Sequence, residues 1–270
     1  MTAPRSLREL MSLKGRVAVI TGGAGHIGSV VADGLAELGA SIALVDLNGD
    51  RGEAAARDIS AKWNSEAAGY KTNLEASGEI LATVDAIRDR FKRVDIVVNC
   101  AAFVGTTTLP GWTVPFEAQS ADTWRRAIEV NLTAPFVLLQ ALAGDLRQSG
   151  HGSIVNVSSI YGLTGPDWRL YEGTNIASPA AYAASKAGLI QLTRWLSTTL
   201  APHVRANAIA PGGVFRDTSE PFLGRYNART PLGRMATEED MKGAVAYLAS
   251  DLSAYVTGQC LAVDGGWTAW

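Results

Sequence analysis

The chain reads as an α/β fold, a doubly wound parallel sheet with helices on both faces, and three observations carry that reading. Apolar runs at 17–20, 42–46, 94–98, 153–157, 204–209 and 260–263 alternate with helical patterns near 27–38, 50–63, 76–91, 122–147, 179–200 and 237–250, the order expected of strand-helix-strand units. The runs around Ile96-Val97-Val98 and Ile154-Val155 are nearly unbroken, as strands covered on both faces require. A glycine-rich turn joins the first strand to the first helix. With 270 residues, 47% of them hydrophobic, one such domain over 15–270 accounts for the chain. Residues 1–14 are expected to form a loosely held arm.

The first strand, Val17-Ala18-Val19-Ile20, runs into Thr21-Gly22-Gly23-Ala24-Gly25-His26-Ile27-Gly28 and then the helical spacing Val30, Val31, Leu35, Leu38. Glycines there let the backbone bend and let N–H groups approach a pyrophosphate, which a helix N-terminus stabilises electrostatically. The second strand ends on Asp46. A carboxylate at that place accepts hydrogen bonds from both ribose hydroxyls and repels a 2′-phosphate. NAD(H) is therefore the expected cofactor, and the following Leu47 and Asn48 supply no arginine to favour NADP(H).

In such sheets ligands sit at the carboxyl ends of strands. The glycine turn, Asp46, Asn99, Ser158-Ser159 and Pro211-Gly212-Gly213 all fall at such ends. Two irregular stretches, 102–120 and 163–178, follow strands and open on the same side; together with 213–232 they are the expected substrate loops. The last of the informative segments is Ser178-Pro179-Ala180-Ala181-Tyr182-Ala183-Ala184-Ser185-Lys186. With Ser178 as N-cap and Pro179 in the first turn, Tyr182 and Lys186 share one helix face near its positive end. A neighbouring cation and a helix N-terminus both favour a phenolate, which makes Tyr182 a candidate proton-transfer group.

Charge and composition narrow the partners. A net charge of −2 leaves no broad basic field for nucleic acid or an anionic membrane. Residues 1–14 hold no long apolar run, and no later stretch is expected to reach the length of a membrane span, so a cytoplasmic location is expected. Cys100 and Cys260 are the only cysteines, without metal-ligand or disulfide spacing, so no metal is expected.

Taken together, these motifs resemble the short-chain dehydrogenase/reductase family over essentially 13–270: Thr21-Gly22 to Gly28, Asp46, Asn99-Cys100-Ala101-Ala102, Asn131, Ser158-Ser159, Tyr182-x-x-x-Lys186, Pro211-Gly212-Gly213 and Asp264-Gly265-Gly266 occur in order. The resemblance implies a single Rossmann-like domain of about seven parallel strands, a homotetramer or a dimer, and hydride exchange between nicotinamide and a carbinol or carbonyl carbon of a small molecule. It implies a catalytic Ser159, Tyr182 and Lys186, with Asn131 helping to hold a water that leads toward the lysine. The nucleotide site implied comprises Gly22, Gly25, His26, Ile27, Gly28, Asp46, Leu47, Asn73, Leu74, Asn99, Ala101, Tyr182, Lys186, Pro211, Gly212 and Val214.

The departures are informative. His26 stands where the short branch of the family commonly has a glycine, and is expected to be a wall residue beside the cofactor. Ser159 and Tyr182 are 23 residues apart, about ten more than is common in the family. The insert, with Tyr171-Glu172-Gly173-Thr174, is similar to a subgroup associated with surface sugars, including nonulosonic acids. Trp168, Arg169, Tyr171 and Glu172 are thus the expected substrate-facing residues, aromatic for a sugar face and charged for directional hydrogen bonds. The activity expected is NAD(H)-dependent interconversion of a secondary alcohol and a ketone on a polar, sugar-derived molecule. A 3-oxoacyl-thioester reductase and a non-catalytic dinucleotide-binding protein are the alternatives.

Overall fold

The computed structural model describes residues 4–104, 108–174 and 177–270; residues 105–107 and 175–176 of the two irregular loops lie outside the described residues. In chain order the elements are α1 (Leu7–Met11), β1 (Val17–Thr21), α2 (His26–Glu37), β2 (Ser41–Asp46), α3 (Gly49–Trp63), β3 (Ala67–Lys71), α4 (Ser77–Phe91), β4 (Ile96–Asn99), α5 (Ala121–Ile128), α6 (Ala134–Gln148), β5 (Gly152–Val157), α7 (Ala180–Thr199), β6 (Val204–Pro211), α8 (Phe222–Arg229), α9 (Asp240–Ala249) and β7 (Cys260–Val263). The strands form one parallel sheet in the order β3-β2-β1-β4-β5-β6-β7. The chain reverses direction across the sheet between β1 and β4, the switch point at which such sheets bind ligands.

Period-2 alternation splits each inner strand between two cores. Ala18 and Ile20 of β1, Ile42 and Leu44 of β2, and Ile96 and Val98 of β4 pack with α2 and α9 through Val31, Leu35, Met241 and Val245. Val17, Val19, Ala43, Val45 and Val97 face the other way, onto α4 and α6 through Ile80, Val84, Leu138 and Leu142. Register aligns Thr21 with Val45 and with Asn99, so the glycine turn, Asp46 and the end of β4 share one edge of the sheet.

The structure corrects four expectations. β3, Ala-Ala-Gly-Tyr-Lys, carries no apolar run because α3 crosses it backbone to backbone: a Cβ on Gly69 would lie 2.5 Å from the Glu53 nitrogen. The described part of the arm, 4–14, is docked rather than loose, with Leu13 fully buried and Arg5, like the following Arg16, paired to Asp251, at 2.6 and 2.7 Å. The helix expected over 122–147 is broken into α5 and α6 by a π turn at Glu129–Thr133. Pro135 has no N–H to give the Asn131 carbonyl, so the ordinary i→i+4 bond cannot form there. That run, Ala121–Gln148, is also long and apolar enough by length and composition to cross a membrane; here Leu138, Leu139, Leu142 and Leu146 are buried against the sheet instead.

Candidate active site

The nucleotide side is built around the β1-α2 turn. Gly22 lies at φ +63°, and a Cβ on Gly28 would stand 2.1 Å from the Gly22 carbonyl oxygen, so α2 can close onto the turn only with glycine at both places. The helix opens at Gly25 with no side-chain cap, leaving its first N–H groups available to an anion. Asp46 accepts from the Ala24 N–H through Oδ2 and from the Asn48 N–H through Oδ1, both at 3.0 Å. A carboxylate with one bond on each oxygen retains acceptor capacity for ribose hydroxyls. This donor and acceptor set fits a dinucleotide.

Other residues expected there divide into those that line the site and those that shape it. Ile27, Pro211, Gly212 and Val214 line a cleft of ≈ 280 Å³ together with Cys100, Ala102, Ser159, Tyr182 and Lys186. Ala101 packs against the Gly22 turn and donates its N–H to Thr21 Oγ1 at 3.2 Å. Asn99 is buried and turned into the sheet, where it donates to Asn156 Oδ1 at 2.8 Å; it orders the strand end and does not face the cleft. Asn73 is likewise turned to its own loop, accepting from the Glu75 N–H, while Leu74 packs against the second core. Leu47 is 65% exposed beyond Asp46. Sequence spacing missed Arg51. The first turn of α3 brings its Nη2 to the Ala24 carbonyl at 3.0 Å, so a cation does reach the ribose corner.

On the catalytic side, β5 ends at Val157 and delivers Ser158 and Ser159. The Ser158 hydroxyl donates to the Lys186 carbonyl at 2.8 Å and locks α7 to the strand end. Lys186 is buried, its ammonium donating to the Val157 carbonyl at 2.7 Å and lying 5.8 Å from the centre of the Tyr182 ring. Burial pulls Lys186 down to about 8. Burial also pushes the Tyr182 phenol above its ordinary value, while a hydrogen bond with Ser159 and the charge of Arg216 act to lower it. The expected depression by the lysine is thus not found: desolvation dominates both groups, and the two influences that favour the phenolate come from Ser159 and Arg216.

Asn131, at the π turn, is 1% exposed. Its Oδ1 accepts from the Phe103 N–H at 2.7 Å and its Nδ2 donates to the Phe103 carbonyl and to Ser185 Oγ. It ties the segment after β4 to the residue preceding Lys186, a bracing geometry. The 102–120 loop is similarly structural in part. Trp112 is buried with Ala181 and beside Tyr182, and Gln119 Oε1 accepts from the Ala180 N–H at 3.1 Å. α7 accordingly starts one residue later than expected, after Pro179, and is capped from outside its own segment, while the Ser178 hydroxyl is buried without a hydrogen-bond partner.

The 163–178 insert is split rather than facing the chemistry as a whole. Leu170 is buried with Phe222, Tyr226 and Trp267, and this anchor turns its neighbours apart. Of the four expected substrate residues, only Tyr171 lines the catalytic cleft, its hydroxyl bonded to that of Tyr161. Arg169 and Glu172 line a separate surface groove with Arg225, Arg229 and Trp270, and Arg169 is paired to Asp167 at 2.7 Å. Trp168 lines a third cleft with Phe116 and Pro179. His26 is an exposed residue at the start of α2, 3.9 Å from Glu238, which also pairs with Arg216 Nε at 3.2 Å. No cluster of His, Cys, Asp and Glu able to hold a metal occurs among the described residues.

Comparison with known proteins agrees with this fold. Residues 22–268 match the family model described as enoyl-(acyl carrier protein) reductase. The chain is 32% identical over 261 residues to the 3-oxoacyl-(acyl-carrier-protein) reductase FabG of Aquifex aeolicus (strain VF5), covering 95% of this chain and 98% of that one. It is 34% identical over 261 residues to the trans-4-hydroxycyclohexanecarboxylate dehydrogenase of Sinomonas cyclohexanicum, covering 94% and 93%. Among solved structures it is similar to a gluconate 5-dehydrogenase from Burkholderia cenocepacia J2315 in complex with NADP and tartrate, with TM-score 0.86, 30% identity and coverage of 98% and 100%.

Proposed function

The chain belongs to the short-chain dehydrogenase/reductase family, enzymes that act on CH–OH groups, and we propose that it interconverts a secondary alcohol and a ketone on a small, polar, sugar-derived substrate with NAD(H). The observation that carries this reading is the convergence of Ser159, Tyr182 and Lys186 on one cleft with Ile27 of the first turn of α2. When bound, the nicotinamide accepts or returns the hydride of the carbinol C–H. The first-turn N–H groups of α2 would hold the pyrophosphate, and Asp46 the adenosine ribose.

The protein's own part is proton transfer and positioning. Tyr182 takes the carbinol proton during oxidation and returns it during reduction, and Ser159 hydrogen-bonds the substrate oxygen while holding the phenol in place. Lys186 places positive charge beneath them, and Asn131 with Ser185 fixes the helix that carries it. Burial raises the phenol, so the groups that lower it, Ser159 and Arg216, set how readily it ionises.

Two of these similar proteins, named for a hydroxycyclohexanecarboxylate and for gluconate, act on small hydroxylated acids, and the second, a sugar acid, supports the substrate class. Asp46 supports NAD(H), against Arg51 and the NADP of the similar structure. The test is nucleotide reduction with NAD⁺ and NADP⁺ against polyols, sugar acids and 3-hydroxyacyl thioesters, with Tyr182→Phe as the control. Turnover confined to the thioesters would establish instead the reductase reading that the Aquifex relative favours. We also propose a homotetramer, supported by the exposed Trp124, Phe136 and Trp195 on α5, α6 and α7; light scattering tests it.

A further inference from the structure

Two cavities meet at the chemistry. The catalytic cleft and a second space of ≈ 310 Å³ share Tyr161, Tyr171, Tyr182, Arg216, Thr218 and Phe222. The second space is where a substrate would extend once its reacting carbon lay against Tyr182.

The charges lining this space are few. Among the described residues, Lys186 and Arg216 are the only cations lining either cavity; the catalytic cleft is lined by no described carboxylate and the second space only by Asp217. Lys186 is engaged with the Val157 carbonyl. Arg216 bonds Glu238 through Nε alone, and its two terminal Nη groups have no acceptor among the described residues. Its fork is therefore oriented by one acid and left with unused donors. A second feature points into the same space: the Ser178 hydroxyl, on a residue 6% exposed, lines it beside the Tyr171 phenol, which it influences without a bond of full hydrogen-bond geometry. The remaining polar lining is phenolic or hydroxyl, from Tyr161, Tyr171, Thr218 and Ser219.

We propose that Arg216, with Ser178 beside it, forms an anion-recognising subsite, so that the substrate is a hydroxy acid whose carboxylate is held by the guanidinium while its carbinol meets Tyr182. This rests on the oxidoreductase reading above and narrows it. A planar guanidinium matches a carboxylate through two parallel N–H bonds, whereas a lysine would offer only a point charge. Glu238 is the positioning residue, holding Nε so that the Nη edge faces inward. His26 reaches the same carboxylate from the cofactor turn, linking the loop that carries Arg216 to the wall of the nucleotide site.

The experiment uses the full chain saturated with whichever of NADH and NADPH binds more tightly. Calorimetric titration compares tartrate with threitol, its neutral counterpart of equal carbon count, and turnover, assayed with the oxidised form of the same nucleotide as hydride acceptor, compares gluconate with sorbitol. Tartrate should bind at least about tenfold more tightly than threitol, the scale of a charge-assisted pair. Arg216→Met should erase that preference, Arg216→Lys should keep part of it, and Ser178→Ala should weaken tartrate binding by a smaller factor. Equal binding of tartrate and threitol, or a preference that survives Arg216→Met, overturns the proposal, and turnover of sorbitol in preference to gluconate does so while leaving the oxidoreductase reading intact. Tartrate binding that depends on Arg216, with no turnover of any alcohol, would support the subsite and strike the oxidoreductase reading instead.

Discussion

Lys186 is a charge that the fold holds at a cost, and replacing it should separate stability from function. The residue is 3% exposed on α7, and its ammonium has a single carbonyl as hydrogen-bond partner. The fall from 10.5 to about 8, at about 1.4 kcal/mol per pH unit, amounts to roughly 3 kcal/mol against folding while the lysine is charged. Lys186→Met keeps the length of the side chain and removes the charge. It also forfeits the hydrogen bond to the Val157 carbonyl, a loss of about 1 kcal/mol. The cofactor-free variant should then be more stable than the parent by about 2 kcal/mol at pH 7, or about 5 °C in Tm.

The sign with pH is opposite to that of a salt-bridged lysine. Because the folded value lies below the unfolded one, the penalty is complete below about 8 and is relieved as pH rises from there to 10.5. Across that window the unfolded chain binds the extra proton, so the parent protein gains on the variant and the gap closes. Urea denaturation followed by tryptophan fluorescence at pH 7 and pH 9.5, at equal protomer concentration, measures it. A variant less stable than the parent at pH 7, or a gap that does not change with pH, would refute the reasoning. Turnover should be lost in the same variant whatever its stability, the usual opposition between stability and a functional charge.

Three other outcomes are expected. Tyr182→Phe should lower kcat by about 10² to 10⁴ while fluorescence titration shows nucleotide binding nearly unchanged, with Ser159→Ala falling between it and the parent; half-maximal activity in Tyr182→Phe would rule out the proton-transfer role. Asp46→Ala should weaken NAD(H) and narrow its advantage over NADP(H), whereas Arg51→Ala should widen that advantage, since it removes a cation at the ribose corner; titration of both nucleotides against both variants checks the pair. Gly28→Ala sets a methyl 2.1 Å from the Gly22 oxygen, so denaturation should show a loss of at least about 1 to 3 kcal/mol, and an unchanged midpoint would show that the turn can relax.

What was legible in the sequence is what short-range spacing encodes. The glycine turn, Asp46, Ser159, Tyr182 and Lys186 each sit at a strand end or on one helix face, positions that periodicity assigns without knowledge of distant contacts. β3 was missed because its composition answers to Gly52 of α3 rather than to a core. The break at Asn131 had a local signal in Pro135, four residues on, but the apolar period ran through it. The cap of α7 had no local signal at all, since Gln119 reaches Ala180 from 61 residues away. Desolvation is equally non-local. The Tyr-x-x-x-Lys spacing argues for a lowered phenol, and burial, in a cluster with Phe103, Leu109, Trp112 and Ala181, reverses the direction.

The same division explains why the insert misled where the motifs did not. An insertion anchored at Ser159 and Tyr182 must border the cleft, but bordering it does not decide which side chains enter. That decision is made by packing. Leu170 packs with Phe222, Tyr226 and Trp267, and Tyr171 enters a run of ring contacts with the same three, its ring centre 5.3 Å from that of Phe222 and that of Tyr226 6.2 Å from that of Trp267. Arg225 adds a bond to the Glu172 carbonyl. The insert is thereby fastened to α8, and the exposed Arg169 and Glu172 are carried to the outer face. The position at the cleft falls to a residue of the loop that leads into α8, Arg216, which no feature of the sequence distinguished from the other arginines. Insert and loop thus act as one wall: the insert braces α8 through aromatic burial, and the loop before α8 presents the charge. Shortening the insert to the common family length should on this account impair substrate recognition indirectly, through loss of the aromatic support for α8, and should lower the folding transition as well as kcat/KM. An unchanged denaturation midpoint accompanying the kinetic loss would instead place recognition in the insert's own side chains.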